Sequence, residues 1–452
     1  MVGAMWNGLP EKGCLRDNMP DAGRSTSKWT LSTPSLDPTD LAATSDPSGR
    51  RWWILAAAVT VQTTVSIIVQ GYPAVVPFVK QDLHLTLAQV GVFASIPGLG
   101  MATGVLAAGW AVDHFGDRKV LIYGCFATGL VALAALLSPS YGILLFGLLL
   151  VGVGAATPTP AGSTAVMLEF ASHRRALVMS FRQTGVPAGG AIAALTLPVI
   201  AIHQGWRAAI AVAAVTALVG AVLCAVFYRI AGARSDPRPV MEDGAPRFRS
   251  LFNRDLAFVG ASGIMLVMGQ YCLVSYLVLF LNQTWRVPLV LASFFLAATQ
   301  LAGAVGRPFW GWFSDMFVGG SRKLALVYVS VIGAASILTI SWLPQGSPFI
   351  LMLIAIVIAG ACVVGWNGVW ITLLAESAPP GLRARSIAAG LTINQPSILL
   401  GPWLFGLFVE VTGSYQLGWT VLAALILSAA WLITRAGEPR FAALRPAAQA
   451  PA

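Results

Sequence analysis

From Trp52 to Leu432 the chain is a succession of apolar runs, most of them twenty residues or longer, parted by short polar turns. Few folds are open to such a pattern. A hydrocarbon core about 30 Å thick is crossed by about 20 helical residues. A backbone in lipid must also satisfy its own hydrogen bonds, which only helices and closed barrels do. Barrel strands alternate apolar and polar side chains, and these runs do not. The composition agrees: 57% of residues are hydrophobic and 10% charged, against about 25% charged in a soluble domain. The chain reads as an all-α membrane protein. Twelve segments are expected, at 52–79, 89–111, 119–138, 141–168, 176–201, 207–228, 257–281, 288–311, 323–343, 348–375, 386–409 and 417–434.

The longest connection divides these segments six and six. The expected domains are a disordered cytoplasmic tail (1–51), a six-helix bundle (52–228), a cytoplasmic linker (229–256), a second six-helix bundle (257–434) and a short cytoplasmic tail (435–452). The first tail is polar, rich in Ser, Thr, Asp and Pro, and lacks the apolar stretch of a signal peptide. Of the 28 lysines and arginines, 23 fall on the side of this tail, three (Lys80, Arg207, Arg286) on the other, and two (Arg182, Arg307) within helices. Basic residues mark the cytoplasmic side, so both termini are expected there. The same bias accounts for the formal charge of +10 without nucleic acid. Cys125, Cys224, Cys272 and Cys362 lie in apolar segments and, with Cys14, show no zinc-site spacing; they read as small buried hydrophobes. No nucleophile–base pair, metal cluster or cofactor motif is visible. An enzyme is not expected, nor a cofactor, and the expected partners are the lipid bilayer and a small solute handled by a monomer.

The two halves echo each other. GWAVDHFGDRK (109–119) returns as GWFSDMFVGGSRK (311–323). Glu169, ahead of Arg174 and Arg175, returns as Glu376 ahead of Arg383 and Arg385, and Gly205–Trp206 returns as Gly418–Trp419. Two such repeats imply a binding site at their interface and alternating access. The first motif resembles the signature between the second and third helices of the major facilitator superfamily, with Gly109, Asp113, Gly116 and the basic pair Arg118–Lys119 in place. The second copy keeps Gly311, Asp315, Arg322 and Lys323. The resemblance implies that superfamily's twelve-helix fold in two pseudo-symmetric bundles. It also implies a latch of charges at the cytoplasmic rim that stabilises one transport state. Glu169, Glu376 and Arg383 belong to the same layer. Arg307, two turns before Asp315, can join the latch, snorkel to the headgroups or meet the solute.

What could hold a solute is mostly neutral. Every Asp and Glu of the apolar region lies at a rim, so a proton carrier within the membrane is not visible. The first segment offers Gln70 and Tyr72, beside Gln62. The seventh offers Gln270 and Tyr271, the eighth Gln300, the tenth Asn367, and the eleventh Asn394 and Gln395. Each can equally bind helix to helix. The stretch MSFRQTGVPAGG (179–190) aligns with 391–402 and puts Arg182–Gln183 on Asn394–Gln395. An arginine among amides and aromatic rings suits a small organic anion with an apolar part. Contact at an inner gate and snorkelling are the other roles open to Arg182. Drug–proton antiporters of the superfamily often carry Gly-Pro-x-x-Gly-Gly here. In Gly185–Gly190 the proline comes one place late, and the run is more similar to bacterial cyanate, oxalate/formate and monocarboxylate-type carriers. The expected function is a secondary transporter moving an organic anion across a bacterial inner membrane, with proton symport among the modes open to it; export of drugs or metabolites is the alternative.

Overall fold

The computed structural model describes residues 49–170, 178–179, 181–231, 254–377 and 383–437. Most of both tails and of the linker lie outside the described residues. Among those described, every regular element is a helix: α1 (Arg50–Asp82), α2 (Leu87–Phe115), α3 (Asp117–Ala135), α4 (Tyr141–Ala155), α5 (Pro158–Glu169), α6 (Gly185–Ala231), α7 (Arg254–Thr284), α8 (Leu289–Met316), α9 (Arg322–Trp342), α10 (Phe349–Ala359), α11 (Asn367–Glu376), α12 (Arg383–Thr412) and α13 (Tyr415–Arg435). Each of the twelve expected segments falls on one or two of these helices.

Local chemistry explains where the helices start and stop. Thr86 and Gln89 cap α2 reciprocally, side chain to backbone, and Ser140, Ser321 and Ser414 cap α4, α9 and α13; such caps satisfy amides that have no partner inside the helix. Gly116, at φ 81°, turns α2 into α3. α6 is two crossings joined at Gly205, where φ 82° and ψ 160° leave the helical region. Its two arms are the fifth and sixth segments. The fourth segment breaks at Ala156–Thr157, and Pro158 opens α5 because a first-turn proline forgoes no hydrogen bond. The tenth segment contains a π-helical turn, Gly360–Val364, between α10 and α11.

Glycines decide how the helices pack. In the first half α2 lies directly on α4: a methyl at Gly152 would come within 2.0 Å of the Pro97 carbonyl oxygen, and one at Gly100 within 2.0 Å of that of Leu149. In the second half α8 lies on the π turn: a methyl at Gly306 would come within 2.3 Å of the Ala361 carbonyl oxygen, and one at Gly360 within 2.5 Å of that of Thr299. Small residues let membrane helices approach to backbone contact, where dispersion rather than hydrophobicity holds them. Trp310 Nε1 donates to the Ala361 carbonyl at 2.9 Å, satisfying a backbone group beside the irregular turn. The halves meet along α2 against α12 and α6 against α8, with α1 crossing α7.

Candidate functional site

Polar groups gather where the halves meet. Arg182 is 1% exposed. Its Nη1 donates to Gln62 Oε1 at 3.0 Å and to the Pro158 carbonyl at 3.2 Å, and its Nε has no partner. The guanidinium therefore lies within the first half, between α1 and the start of α5. Pro158's carbonyl is available because the fourth segment breaks just before it. Gly162 leaves room: a methyl there would stand 3.4 Å from Arg182 Nη1. Arg307, half-buried on α8, reaches across the halves; its Nη1 lies 3.5 Å from the Gln183 carbonyl and its Nε is buried without a partner. Neither arginine has a carboxylate in ion-pair range among the described residues.

Of the other expected contacts, two, Gln270 and Asn367, form one cluster with Trp366. Gln270 Oε1 accepts from Trp366 Nε1 at 3.1 Å and from Asn367 Nδ2 at 3.2 Å. Gln300, 1% exposed, rests against Gly190 of α6 with both amide atoms unpaired. Asn394, 4% exposed, packs beside Gly263 and Trp370, also with both amide atoms unpaired. Tyr72 is drawn into the first bundle instead: its ring meets Phe93 edge-on at 5.7 Å, and Phe93 meets Trp206. Gln70, Gln183 and Gln395 are half-buried. A wholly apolar cleft of about 520 Å³ along α7, α12 and α13 includes none of these residues.

The charged layer lies at helix ends, where Asp315, Glu169 and Glu376 close α8, α5 and α11. Arg322 Nη1 is 2.7 Å from Asp315 Oδ1, and its Nε is 3.7 Å from Glu376 Oε1. Lys323 donates to the Ala436 carbonyl. In the first half Glu169 pairs with Arg50 at 3.0 Å. Asp315's partner is thus Arg322, and Arg307 stands apart, next to Gln183. Asp113 and Lys119 are exposed, with no ion pair among the described residues. Gly116 makes the turn, Arg118 is half-buried beside it, and the Arg383 side chain lies outside the described residues. Nothing stands within 4 Å of a methyl placed at Gly109 or Gly311. At the opposite end the halves touch. Tyr276 Oη is 2.7 Å from the Leu87 carbonyl and 2.9 Å from that of Pro402, and the Ala88 amide donates to Glu410 at 3.3 Å. Reading the sequence singled out neither Gln62 nor Arg50 as a partner. Gln62 was visible only as one polar residue among several on the first segment, and Arg50 as a flanking charge.

Paired bundles of membrane helices, glycine-packed and meeting along a polar seam, are the architecture of secondary transporters. The sequence matches the Major Facilitator Superfamily over residues 53–402, and the chain belongs to that superfamily: it is a multi-pass membrane transporter, not an enzyme. It is 28% identical over 396 residues to an uncharacterized MFS-type transporter of Mycobacterium tuberculosis, covering 86% of each chain. It is 23% identical to the 4-hydroxybenzoate transporter PcaK of Pseudomonas aeruginosa, covering 79% of this chain and 85% of that one. Among solved structures it resembles a bacterial homolog of the human lysosomal transporter Spinster in an inward-facing and occupied conformation, with a TM-score of 0.72, 15% identity, and 88% of this chain and 99% of that one covered.

Proposed function

We propose that this protein carries small organic anions across a bacterial cytoplasmic membrane by alternating access, with both termini inside. The observation that carries the reading is Arg307, a cation well inside α8 at the meeting of the halves, with no carboxylate in ion-pair range among the described residues. Charges in such places are costly and mark a solute path. A carboxylate from the solute supplies the missing counter-charge. Its apolar body lies beside Tyr271, whose ring approaches Gly98 and neighbours Ile398. The Gln270–Trp366–Asn367 cluster offers amide and indole groups for a polar substituent. Arg182 adds positive potential from behind, held by Gln62. The aromatic acid named for the Pseudomonas relative has this shape: one carboxylate, one ring, one hydroxyl.

In this reading the charged layer at Asp113 and Asp315 is the cytoplasmic gate. The contacts of Tyr276 and Glu410 close the outer side, while Gly109 and Gly311 await a partner in the alternate state. The carrier acts as a monomer. The test is uptake of radiolabelled 4-hydroxybenzoate, benzoate, muconate and sulfoacetate into proteoliposomes, alongside melting shifts of the purified protein, since a ligand that binds the folded state raises its melting temperature. At least one carboxylate is expected to be moved and to stabilise the protein. Stabilisation by neutral or cationic drugs, with no response to any carboxylate, sinks the reading.

A further inference from the structure

Arg182 and Arg307 are the two cations of the membrane interior among the described residues, and no described carboxylate is in ion-pair range of either. Around Arg182, α1 presents Ala58 and Gln62, and α5 presents Pro158 and Gly162. Beside Arg307 stands the Gln183 carbonyl. The described carboxylates of the membrane region all lie within two residues of a helix end. Asp117 and Asp255 open α3 and α7, and Asp82, Asp113, Glu169, Asp315, Glu376 and Glu410 close α1, α2, α5, α8, α11 and α12. His84, His114 and His203 also lie at turns or helix ends. No titratable acid or imidazole among the described residues reaches the depth of the two arginines.

This arrangement constrains what the carrier can do when empty. To change sides, it must pass through a form closed at both ends. With no solute bound, Arg182 is already buried without a carboxylate in ion-pair range among the described residues, closure takes the half-buried Arg307 out of water as well, and an uncompensated buried charge is strongly unfavourable. A bound anion removes that penalty. A proton symporter of the same anion would need a group near the site that changes charge between its loaded and empty forms. We infer that this transporter is an obligatory anion exchanger, in which inward movement of one organic anion is coupled to outward movement of another. The inference rests on the anion reading of the same site.

The experiment uses the full chain in proteoliposomes, with radiolabelled 4-hydroxybenzoate outside and either buffer or unlabelled 4-hydroxybenzoate inside. Uptake is expected to be at least ~10-fold faster into loaded vesicles, a factor equivalent to about 1.4 kcal/mol. It should not respond to a protonophore or to an imposed proton gradient. Net uptake into empty vesicles that follows an inward proton gradient overturns exchange while leaving the anion reading standing. No movement of 4-hydroxybenzoate, benzoate, muconate or sulfoacetate under either loading overturns both. A second arm uses Gln62→Glu, which places a carboxylate where Gln62 Oε1 now stands, 3.0 Å from Arg182. The empty carrier then has its own counter-charge, and the loaded-to-empty ratio should fall several-fold towards one. An unchanged ratio, in a variant that melts like the parent, overturns the role given to the unpaired charge.

Discussion

At the scale of residues, the repeat has kept volume and exchanged chemistry. Arg182 in the first half has Gly162 beside it. Its counterpart in the second half, Asn394, has Trp370 as a neighbour. A large cation beside a hydrogen atom has become a small amide beside an indole. The alignment of 182 with 394 was readable, but the compensation was not, because Gly162 and Trp370 lie far from these positions in sequence. The same limit applied to Arg307: its spacing from Asp315 suggested a latch, whereas Arg322 is the nearer partner and Gln183 lies across the interface. The two arginines should therefore respond differently to substitution. Arg307→Gln removes a charged hydrogen bond to the solute, a loss of about 1.5–3 kcal/mol, or roughly 10- to 150-fold in affinity. Arg307→Lys, a point charge in place of a planar fork, should recover part of it. Titration of 4-hydroxybenzoate binding by intrinsic fluorescence checks both variants, and equal affinity in Arg307→Gln would remove this residue from the site. Gly162→Leu drives a side chain into the place of Arg182. Overpacking costs about 1–3 kcal/mol, so a lower melting temperature is expected, with Gly162→Ala close to the parent.

At the scale of helices, glycines fall into two groups that look alike in sequence. Gly152 and Gly306 press on backbone atoms, so Gly152→Ala and Gly306→Ala have no room to relax and should melt several degrees lower in detergent. Gly109 and Gly311 have open space. Gly109→Ala and Gly311→Ala should leave melting unchanged and instead slow transport, if these positions pack closely only in the other state. Differential scanning fluorimetry beside an uptake rate separates the groups, and a destabilised Gly109→Ala with normal uptake would reverse the assignment. The twelve segments and the junction at Gly205 were legible because hydropathy and a glycine between two runs are local signals. The break before Pro158 was marked by its prolines. The π turn was not legible, since GACVV reads as ordinary apolar helix. Nor were His84 and Arg286, which adopt φ of 51° and 56° after α1 and α7. No glycine announces them, yet they occupy the same place in each repeat, so the symmetry extends to backbone conformation that side-chain patterns do not encode.

For the whole molecule, the question is whether closure at one end and opening at the other are one event. Ala88 and Glu410 join the halves at the Tyr276 end, while at the other no described residue of another helix comes within 4 Å of a methyl placed at Gly109. A ligand shifts such an equilibrium only by its differential affinity for the two states. If the empty carrier is held in the present state by its unpaired arginines, an anion should release it. The measurement uses a chain in which Cys14, Cys125, Cys224, Cys272 and Cys362 are replaced and Gly109→Cys is added as a reporter for a water-soluble maleimide. Without anion, labelling should be rapid. Saturating 4-hydroxybenzoate should slow it, because part of the population then closes that end. Adding Ala88→Cys and Glu410→Cys, joined by a short bifunctional thiol reagent, pins the halves together where they now touch. The pinned protein should label rapidly whether or not anion is present, and should transport nothing. Arg307→Gln, unpinned, should also lose the anion's effect on labelling. Transport that survives the pin would mean that the two ends move independently and that rocking of the bundles is not how this chain works.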